Sequence, residues 1–268
     1  MERYFRLNEN RIHYKVLGQG NCVVLLHGYL ENLEIWNGFA DELSKSCKVL
    51  MLDFPGHGQS ENNTGVNTIE GMAESVDATL MHLNIPKALL VGHSMGGYVA
   101  LAFADLFPEK TAGLCLFHST PFADSEQKRA NRMTEIEQIN RGEKQAIVDT
   151  GVPIRFAEKN LPKLHKELEW ATGIALRTNT KGIIDALKAM ALRIDRNYVL
   201  ENASFPTMMI FGALDNHIPV SVTSALVQKH KKTRTVILNN SGHMGFIEEE
   251  DQALSAMRSF LECIFKSA

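Results

Sequence analysis

A serine flanked by glycines is the residue of this chain whose surroundings point most directly to chemistry. Residues 92–96 read Gly-His-Ser-Met-Gly, so Ser94 stands in a Gly-x-Ser-x-Gly pattern. The apolar residues 88–91 precede it and small, helix-compatible residues follow, which indicates a strand, a sharp turn and a helix. Such a turn needs neighbours without side chains, exposes the hydroxyl and places the next backbone N–H at a helix N-terminus, where it can stabilise an anion. An ordinary serine in a glycine-rich turn is the alternative, because five-residue motifs recur by chance.

Two further residues that could take part in such chemistry follow apolar runs later in the chain. Asp215 comes after residues 207–211, and His243 comes after residues 235–238. If these runs are parallel strands, their carboxyl ends meet at one crevice, where ligands bind. A serine hydroxyl is a poor nucleophile at neutral pH, so it needs a base such as histidine, whose tautomer a carboxylate can fix. The chain therefore supplies a serine, an acid and a histidine, in that order, on three strand ends.

The elements that must position these residues are predicted to form a mostly parallel sheet of about eight strands. Six apolar runs are typical of strands buried on both faces and covered by helices, an α/β arrangement. These runs are residues 23–26, 48–54, 88–91, 113–117, 207–211 and 235–238. Residues 11–17 alternate between polar and apolar types, which predicts an antiparallel strand paired with residues 4–7. Helices are predicted at residues 33–43, 68–83, 97–107, 221–229 and 251–265.

A long segment between the fourth and fifth apolar runs predicts an insertion. It has roughly 85 residues, far more than a crossover between strands needs. Residues 121–189 are rich in charged residues and carry apolar residues at helical spacing, so we interpret them as a helical cap over a core made of residues 1–120 and 190–268. Surface helices without a role are the alternative. Three aromatic residues could form either a binding wall or the core of the cap: Phe122, Phe156 and Trp170.

Composition restricts the class of protein and its partners. The chain has 268 residues, 44% of them hydrophobic and 22% charged, which suits one large domain with a sizeable core. A net charge of −3 without a dominant basic patch argues against nucleic acid or an anionic membrane as the partner. No run approaches the roughly 18 apolar residues of a membrane span, and the first residues have no apolar signal core. We therefore expect a cytoplasmic monomer or homodimer that acts on a small-molecule substrate.

The four cysteines do not suggest a metal site or a nucleophile. They are scattered without the spacing of metal ligands, and none lies on a glycine-flanked turn. We expect them to be small core residues in a reducing compartment. They are Cys22, Cys47, Cys115 and Cys263. The chain also has no metal-binding cluster, phosphate loop or dinucleotide fingerprint, so we expect neither a metal nor a cofactor.

Five motifs, taken in chain order, make the sequence resemble the α/β-hydrolase fold superfamily, in the group with a helical cap after the sixth strand. The motifs are residues 27–29, 53–60, 92–97, 211–219 and 239–244. The resemblance covers essentially the whole chain outside the cap. It implies that Ser94 is the nucleophile, Asp215 the acid and His243 the base. It also implies that the backbone N–H groups of Tyr29 and Met95 bind the oxyanion.

Several neighbouring residues compete for these roles. Asp124, after the fourth apolar run, is the alternative acid, since some relatives place the acid there. His27 and His93 flank the oxyanion and nucleophile turns and resemble positions that the family uses for architecture. Asp53 is expected to hold its own turn together by hydrogen bonds and is assigned no chemistry.

The serine nucleophile narrows the reaction that the resemblance implies. The related haloalkane dehalogenases and epoxide hydrolases have aspartate where this chain has Ser94. A serine beside an oxyanion hole favours acyl transfer to water. We therefore expect a serine hydrolase that cleaves a small, fairly apolar carboxylic ester or lactone through an acyl-enzyme. The alternatives are a carbon–carbon bond hydrolase, a small-molecule receptor that keeps the triad, and hydroxynitrile lyase or cofactor-free peroxidase chemistry.

Overall fold

An eight-stranded sheet forms the centre of the molecule, of which the computed structural model describes residues 2–265. The strands are β1 Glu2–Leu7, β2 Asn10–Leu17, β3 Cys22–Leu26, β4 Lys48–Leu52, β5 Ala88–His93, β6 Thr111–Phe117, β7 Thr207–Gly212 and β8 Arg234–Leu238. Their order across the sheet is β1-β2-β4-β3-β5-β6-β7-β8. β2 runs antiparallel to both of its neighbours, and the other neighbouring strands pair in parallel. The mostly parallel α/β sheet predicted from the sequence is therefore confirmed.

Burial explains why the apolar runs mark the strands so well. Every residue of β3, β5, β6 and β7 is buried, as expected for inner strands covered by helices on both faces. β8 lies at the sheet edge and is buried only at its last residue, Leu238. β5 continues two residues beyond its apolar run because Gly92 and His93 pair with Leu116 and Phe117 of β6. The Gly-x-Ser-x-Gly motif therefore begins inside a strand.

Helices cover both faces of this sheet. Those outside the segment between β6 and β7 are α1 Asn37–Leu43, α2 Ile69–His82, α3 Met95–Leu106, α9 Val220–Lys229, α10 Gly245–Glu248 and α11 Glu250–Phe265. The helix predicted from residue 33 starts later, because residues 33–36 form a tight 3₁₀ turn capped by the Asn32 side chain. In that turn the Leu33 N–H donates to Asp53 Oδ1 at 2.8 Å. Among residues 2–265, no helix has the length and apolar character needed to cross a membrane.

Residues 118–206, between β6 and β7, form what we call the helical insert. It contains α4 Glu126–Asn140, α5 Lys144–Gly151, α6 His165–Arg177, α7 Thr180–Leu192 and α8 Asn197–Glu201. Residue 189, the expected end of a cap, lies within α7. The buried carboxylate of Asp124 pairs with Arg132 of α4 and with Arg193 just after α7, the latter at 2.7 Å. This ion-paired group ties the start of the insert to its last long helix.

The turn after β4 is organised by Asp53, as the sequence predicted. Asp53 Oδ2 accepts hydrogen bonds from the Gln59 N–H at 2.8 Å and from His13 Nδ1 at 2.7 Å. Within the same turn His57 is fully buried, with its ring centroid 5.1 Å from that of His27. His57 Nδ1 donates to the Pro55 carbonyl at 3.2 Å, whereas the buried Nε2 has no hydrogen-bond partner among residues 2–265. This burial lowers the pKa of His57 to about 3.

The buried neutral His57 predicts a pH-dependent stability. Between pH 6 and pH 4 the unfolded chain binds a proton at this histidine and the folded chain does not, so the free energy of unfolding decreases as the pH falls. His57→Met should flatten that dependence by about 1.4 kcal/mol per pH unit, whatever constant offset the substitution adds. Urea unfolding at pH 6, 5 and 4 measures the slope. His165→Met, at an exposed position of α6, is the control and should leave the slope unchanged. Equal slopes in wild type and His57→Met would contradict the prediction.

Candidate active site

Ser94 occupies a strained turn between β5 and α3. Its backbone angles are φ 49° and ψ −113°, a combination that residues with a side chain rarely adopt. The turn is held by the Ser94 N–H, which donates to the Phe117 carbonyl of β6 at 3.0 Å. The side chain of Ser119 donates to the Ser94 carbonyl at 2.7 Å. These bonds fix a half-buried serine at the carboxyl edge of the sheet, directly before a helix N-terminus.

The glycines around Ser94 are required by close backbone contacts. A Cβ atom on Gly92 would lie 2.2 Å from the Gly96 carbonyl oxygen. A Cβ atom on Gly96 would lie 2.3 Å from the Leu26 carbonyl oxygen, at the end of β3. Real Cβ atoms do not approach other atoms so closely, so a side chain at either position would separate the first turn of α3 from the sheet. The glycine pattern therefore reflects packing between backbones.

Asp215 and His243 are brought together from loops 28 residues apart in sequence. Asp215 Oδ2 accepts a hydrogen bond from His243 Nδ1 at 2.7 Å. Its other oxygen accepts from the backbone N–H groups of His217 and Ile218, at 2.7 and 3.0 Å. Burial alone would raise the pKa of Asp215, but the adjacent His243 and the hydrogen bonds from His118 and His243 keep it well below its ordinary value. The carboxylate is therefore ionised and orients the imidazole.

His243 is held in the form that can accept a proton. Burial lowers its pKa, an effect that the Asp215 carboxylate only partly offsets, so the ring is neutral at neutral pH. Because Nδ1 donates to Asp215, Nε2 carries the free lone pair. His243 and Ser94 line the same cavity. A serine hydroxyl and an imidazole arranged in this way can act as nucleophile and general base.

His118 also contacts Asp215, and the sequence reasoning missed it. His118 Nε2 accepts from the Gly245 N–H at 3.2 Å, and the Gly212 N–H approaches Nδ1 at 3.2 Å. Because the ionised Asp215 carboxylate can only accept, we place the imidazole proton on Nδ1, which donates to Asp215 Oδ2 at 3.2 Å. Burial lowers the pKa of His118 to about 4, so this imidazole is neutral. The signal was present, since His118 directly follows β6 at the same sheet edge as Ser94.

The backbone N–H groups of Tyr29 and Met95 lie on either side of the contact between β3 and α3. Tyr29 follows the end of β3, and Met95 is the first residue of α3. Among residues 2–265, neither N–H donates a hydrogen bond to another group. Both residues are near in sequence to the place where the Gly96 backbone packs against the carbonyls of Leu26 and His27. Tyr29 also lines the cavity. Free donors at a helix N-terminus and a neighbouring loop can stabilise an oxyanion.

The cavity above this edge has a volume of about 840 Å³ and lies between the sheet and the helical insert. One wall is polar and comes from α4, with side chains that include Lys128, Arg132 and Glu135. The apolar part of the lining includes Phe122, Ile147, Ile154, Ile218 and Val222. Of the three aromatic residues singled out in the sequence, Phe122 lines the cavity, whereas Phe156 is fully buried and Trp170 packs against the core.

Comparison with known proteins places this geometry in a family. The family model for the alpha/beta hydrolase fold matches residues 21–250. The chain belongs to the α/β-hydrolase fold family.

Its relatives include enzymes that act on acyl groups. A pimeloyl-[acyl-carrier protein] methyl ester esterase of Vibrio campbellii is 27% identical over 256 residues, covering 93% of this chain and 98% of that protein. The dihydrolipoyllysine-residue acetyltransferase component of the acetoin cleaving system of Pseudomonas putida is 30% identical over 90% of this chain, which spans only 64% of that longer protein. The solved structure of a thermophilic esterase from Thermogutta terrifontis, with malate bound, superposes with a TM-score of 0.92 at 26% identity, covering 98% of this chain and 99% of that one.

Other candidate residues of this α/β hydrolase are occupied by ion pairs or lack a reactive form at neutral pH. Asp124, the alternative acid, has its carboxylate paired with Arg132 and Arg193, and it makes no hydrogen bond to His243. Burial raises the pKa of the Cys22 thiol to about 12 and that of Cys47 to about 11, so neither supplies a thiolate at neutral pH.

A metal ion is not needed to explain the buried histidine–aspartate cluster of this α/β hydrolase. Ligand-type atoms of His118, Asp215 and His243 lie within 4.8 Å of one another. Two of these contacts are hydrogen bonds from imidazole Nδ1 atoms to the same carboxylate oxygen. Shared protons therefore account for the spacing.

The packing of Gly96 gives a stability prediction with an internal control. Gly96→Ala should lower the free energy of unfolding by about 3 kcal/mol, because the new methyl group has no room beside Leu26. In Gly151→Ala the added Cβ meets no atom within 4 Å, at the end of α5. That substitution should leave stability unchanged or raise it by about 0.5 kcal/mol. Urea unfolding of both variants measures the difference, and equal effects would show that the Gly96 contact is relaxed without cost.

Proposed function

We propose that the protein is a serine hydrolase that cleaves a small, fairly apolar carboxylic ester or lactone through an acyl-enzyme on Ser94. The observation that carries the proposal is the hydrogen bond of 2.7 Å between His243 and a buried, ionised Asp215, with His243 facing the same cavity as Ser94. The strained turn at Ser94 supports it, since such a turn presents the hydroxyl at the sheet edge.

In this mechanism each group has one task. His243 Nε2 takes the proton of Ser94 as the hydroxyl attacks the substrate carbonyl, and Asp215 stabilises the imidazolium that forms. The N–H groups of Tyr29 and Met95 hold the negative oxygen of the tetrahedral intermediate. The intermediate collapses when His243 returns the proton to the leaving alcohol. Water, activated by the same base, then releases the acid and restores Ser94.

His118 fits this mechanism as a second anchor for the acid. It donates to the carboxylate oxygen that also accepts the His243 hydrogen bond. A neutral imidazole at this position fixes Asp215 without adding a positive charge that would compete for it. The acid is thus held by two backbone N–H groups and a side chain, in addition to the base it serves.

The cavity and the relatives support the substrate class. A volume of about 840 Å³ admits an ester of moderate size, and the apolar lining of Ile147, Ile154 and Val222 suits a short acyl or alkyl group. The esterases of Vibrio campbellii and Thermogutta terrifontis carry names that describe ester cleavage. Acyl transfer to water needs only a nucleophile, a base with its acid, oxyanion donors and water, and Ser94, His243, Asp215 and the two N–H groups fit those protein roles.

Replacement of the proposed nucleophile tests the function directly. Ser94→Ala should reduce hydrolysis of p-nitrophenyl acetate and butyrate by about 10⁴-fold or more. A fluorophosphonate should label the wild-type protein on the peptide that contains Ser94 and should fail to label the variant. Ser224→Ala, at an exposed serine of α9, is the matched control and should retain activity and labelling. Esterase activity that survives Ser94→Ala, or a wild-type protein without adduct or turnover, would refute the proposal.

The protonation state of His243 sets the expected pH profile. Because burial lowers its pKa, the base stays free below the ordinary histidine value of 6.5 and is lost only as the pH falls further. The value of kcat/KM should therefore be level from about pH 7 to 9 and decline on the acid side with a midpoint below 6.5. Initial rates with p-nitrophenyl acetate in constant-ionic-strength buffers measure this midpoint. A midpoint above 7 would contradict a buried neutral base.

A further inference from the structure

One segment of the helical insert contacts the loop that carries His243. The His243 N–H donates to the Arg155 carbonyl at 2.6 Å. A Cβ atom on Gly242 would lie 2.6 Å from the Ala157 nitrogen and 2.7 Å from the Arg155 oxygen, so the two segments touch through their backbones. The Ala157 N–H also donates to Glu248 Oε1 at 2.7 Å, just beyond the same loop. The position of His243 therefore depends on where residues 155–157 pack against its loop.

The side chain of Arg155 points to the loop after β3. Its Nη1 donates to the Tyr29 carbonyl at 2.9 Å and to Glu31 Oε1 at 3.3 Å. Arg155 is only 8% exposed, and Glu31 only 2%. A single residue of the insert thus holds the loop of His243 by its carbonyl and the loop of Tyr29 by its guanidinium group.

Glu31 continues the connection to the turn of Ser94. Its Oε2 accepts from the Gly28 N–H at 2.6 Å and from His93 Nδ1 at 2.9 Å. Burial alone would raise the pKa of Glu31, but His93, Arg155 and the Gly28 N–H hold it at about 2. The other ring nitrogen of His93 donates to the His243 carbonyl at 2.9 Å.

These bonds close a circuit that runs from Arg155 to Glu31, His93, His243 and back to Arg155. It joins the loop of Tyr29, the turn of Ser94 and the loop of His243, which come from three different strands. His243 takes part in the circuit only through its backbone N–H and carbonyl, and the side chains of Arg155, Glu31 and His93 have no task in the proposed reaction. Buried ion pairs of this kind contribute little net stability, because desolvation offsets their attraction. A role in holding geometry explains their placement better than a role in stability.

We propose that Arg155 and Glu31 are positioning residues. Their bonds couple the packing of the helical insert against the core to the alignment of His243 and of the loop that carries the Tyr29 N–H. The inference rests on the proposed function, because it concerns the same site. Substrate does not need to touch either residue for the effect. Any ester, however small, should then be hydrolysed slowly when the circuit is broken.

The experiment compares two arginines that both connect the insert to the core. Arg155→Met and Glu31→Gln break the buried circuit, and Arg155→Lys keeps a cation there. Arg177→Met is the matched control, because Arg177 of α6 pairs with Glu34 at 2.7 Å but the two side chains are 59% and 32% exposed. Steady-state kinetics with p-nitrophenyl acetate and p-nitrophenyl butyrate, the rate of fluorophosphonate labelling and thermal melting are measured for each variant.

Breaking the circuit should lower kcat about 10- to 100-fold for both esters, which is the range expected for misplacement of reacting groups by about 1 Å. KM should change less than about twofold, and labelling should slow by the same factor as kcat, since neither effect needs a lost substrate contact. Arg155→Lys should recover part of kcat, and Arg177→Met should match the wild type. The double variant Arg155→Met/Glu31→Gln should lose no more kcat than the worse of the two single variants, because either substitution alone already breaks the same set of bonds.

Other outcomes would overturn the inference. A loss that appears in KM and grows from acetate to butyrate would make Arg155 a substrate contact. A lower melting temperature with kcat unchanged would make the circuit structural only. If Arg155→Met fails to fold, the near-isosteric Glu31→Gln decides, and wild-type kcat in that variant refutes positioning. Failure of the proposed function itself looks different, because the wild type would then show neither turnover nor labelling of Ser94.

Discussion

The contact between the first turn of α3 and the end of β3 is the constraint on which the site depends. Because Gly96 lies against the Leu26 carbonyl, the turn at Ser94 and the loop after β3 cannot move apart independently. Three residues with side chains adopt positive φ at this sheet edge: Leu30, Ser94 and His118, at 57°, 49° and 48°. Each lies in a loop fixed at its base by a buried strand, which is the setting in which backbone strain persists.

Two buried carboxylates extend this backbone constraint to the side chains. Imidazole neighbours hold both Asp215 and Glu31 ionised, and Glu31 is stabilised further by Arg155 and the Gly28 N–H. Each carboxylate links loops whose relative positions the strand pairing alone does not fix. Asp215 joins the loops after β6, β7 and β8 through His118 and His243, whereas Glu31 joins the loop after β3 to the turn after β5 and to the insert.

The sequence predicted the parts of the molecule that local pattern controls. Apolar runs identified the strands, and their carboxyl ends were expected to bring Asp215 and His243 together. In the structure a hydrogen bond joins these two residues. His118 was missed because the residues after β6 were considered only for a possible acid. Glu31 and Arg155 could not be predicted, since their contact spans 124 positions and joins two irregular segments, where periodicity carries no information. The 3₁₀ turn at residues 33–36 was missed for a similar reason. It is held by a hydrogen bond from the Leu33 N–H to the side chain of Asp53, which is distant in sequence.

Two parts of the helical insert, α4 and residues 155–157, differ in how strongly packing restricts their sequence. This difference determines where substrate preference can vary. α4 supplies polar residues to the cavity lining yet buries a single residue, Ile139, so its lining residues other than the ion-paired Arg132 can change with little cost to packing. Residues 155–157 are buried and bonded to the loop of His243, so change there disturbs the reacting groups. Selectivity for the substrate can therefore drift along α4, while the short segment around Arg155 keeps the insert in register with the sheet.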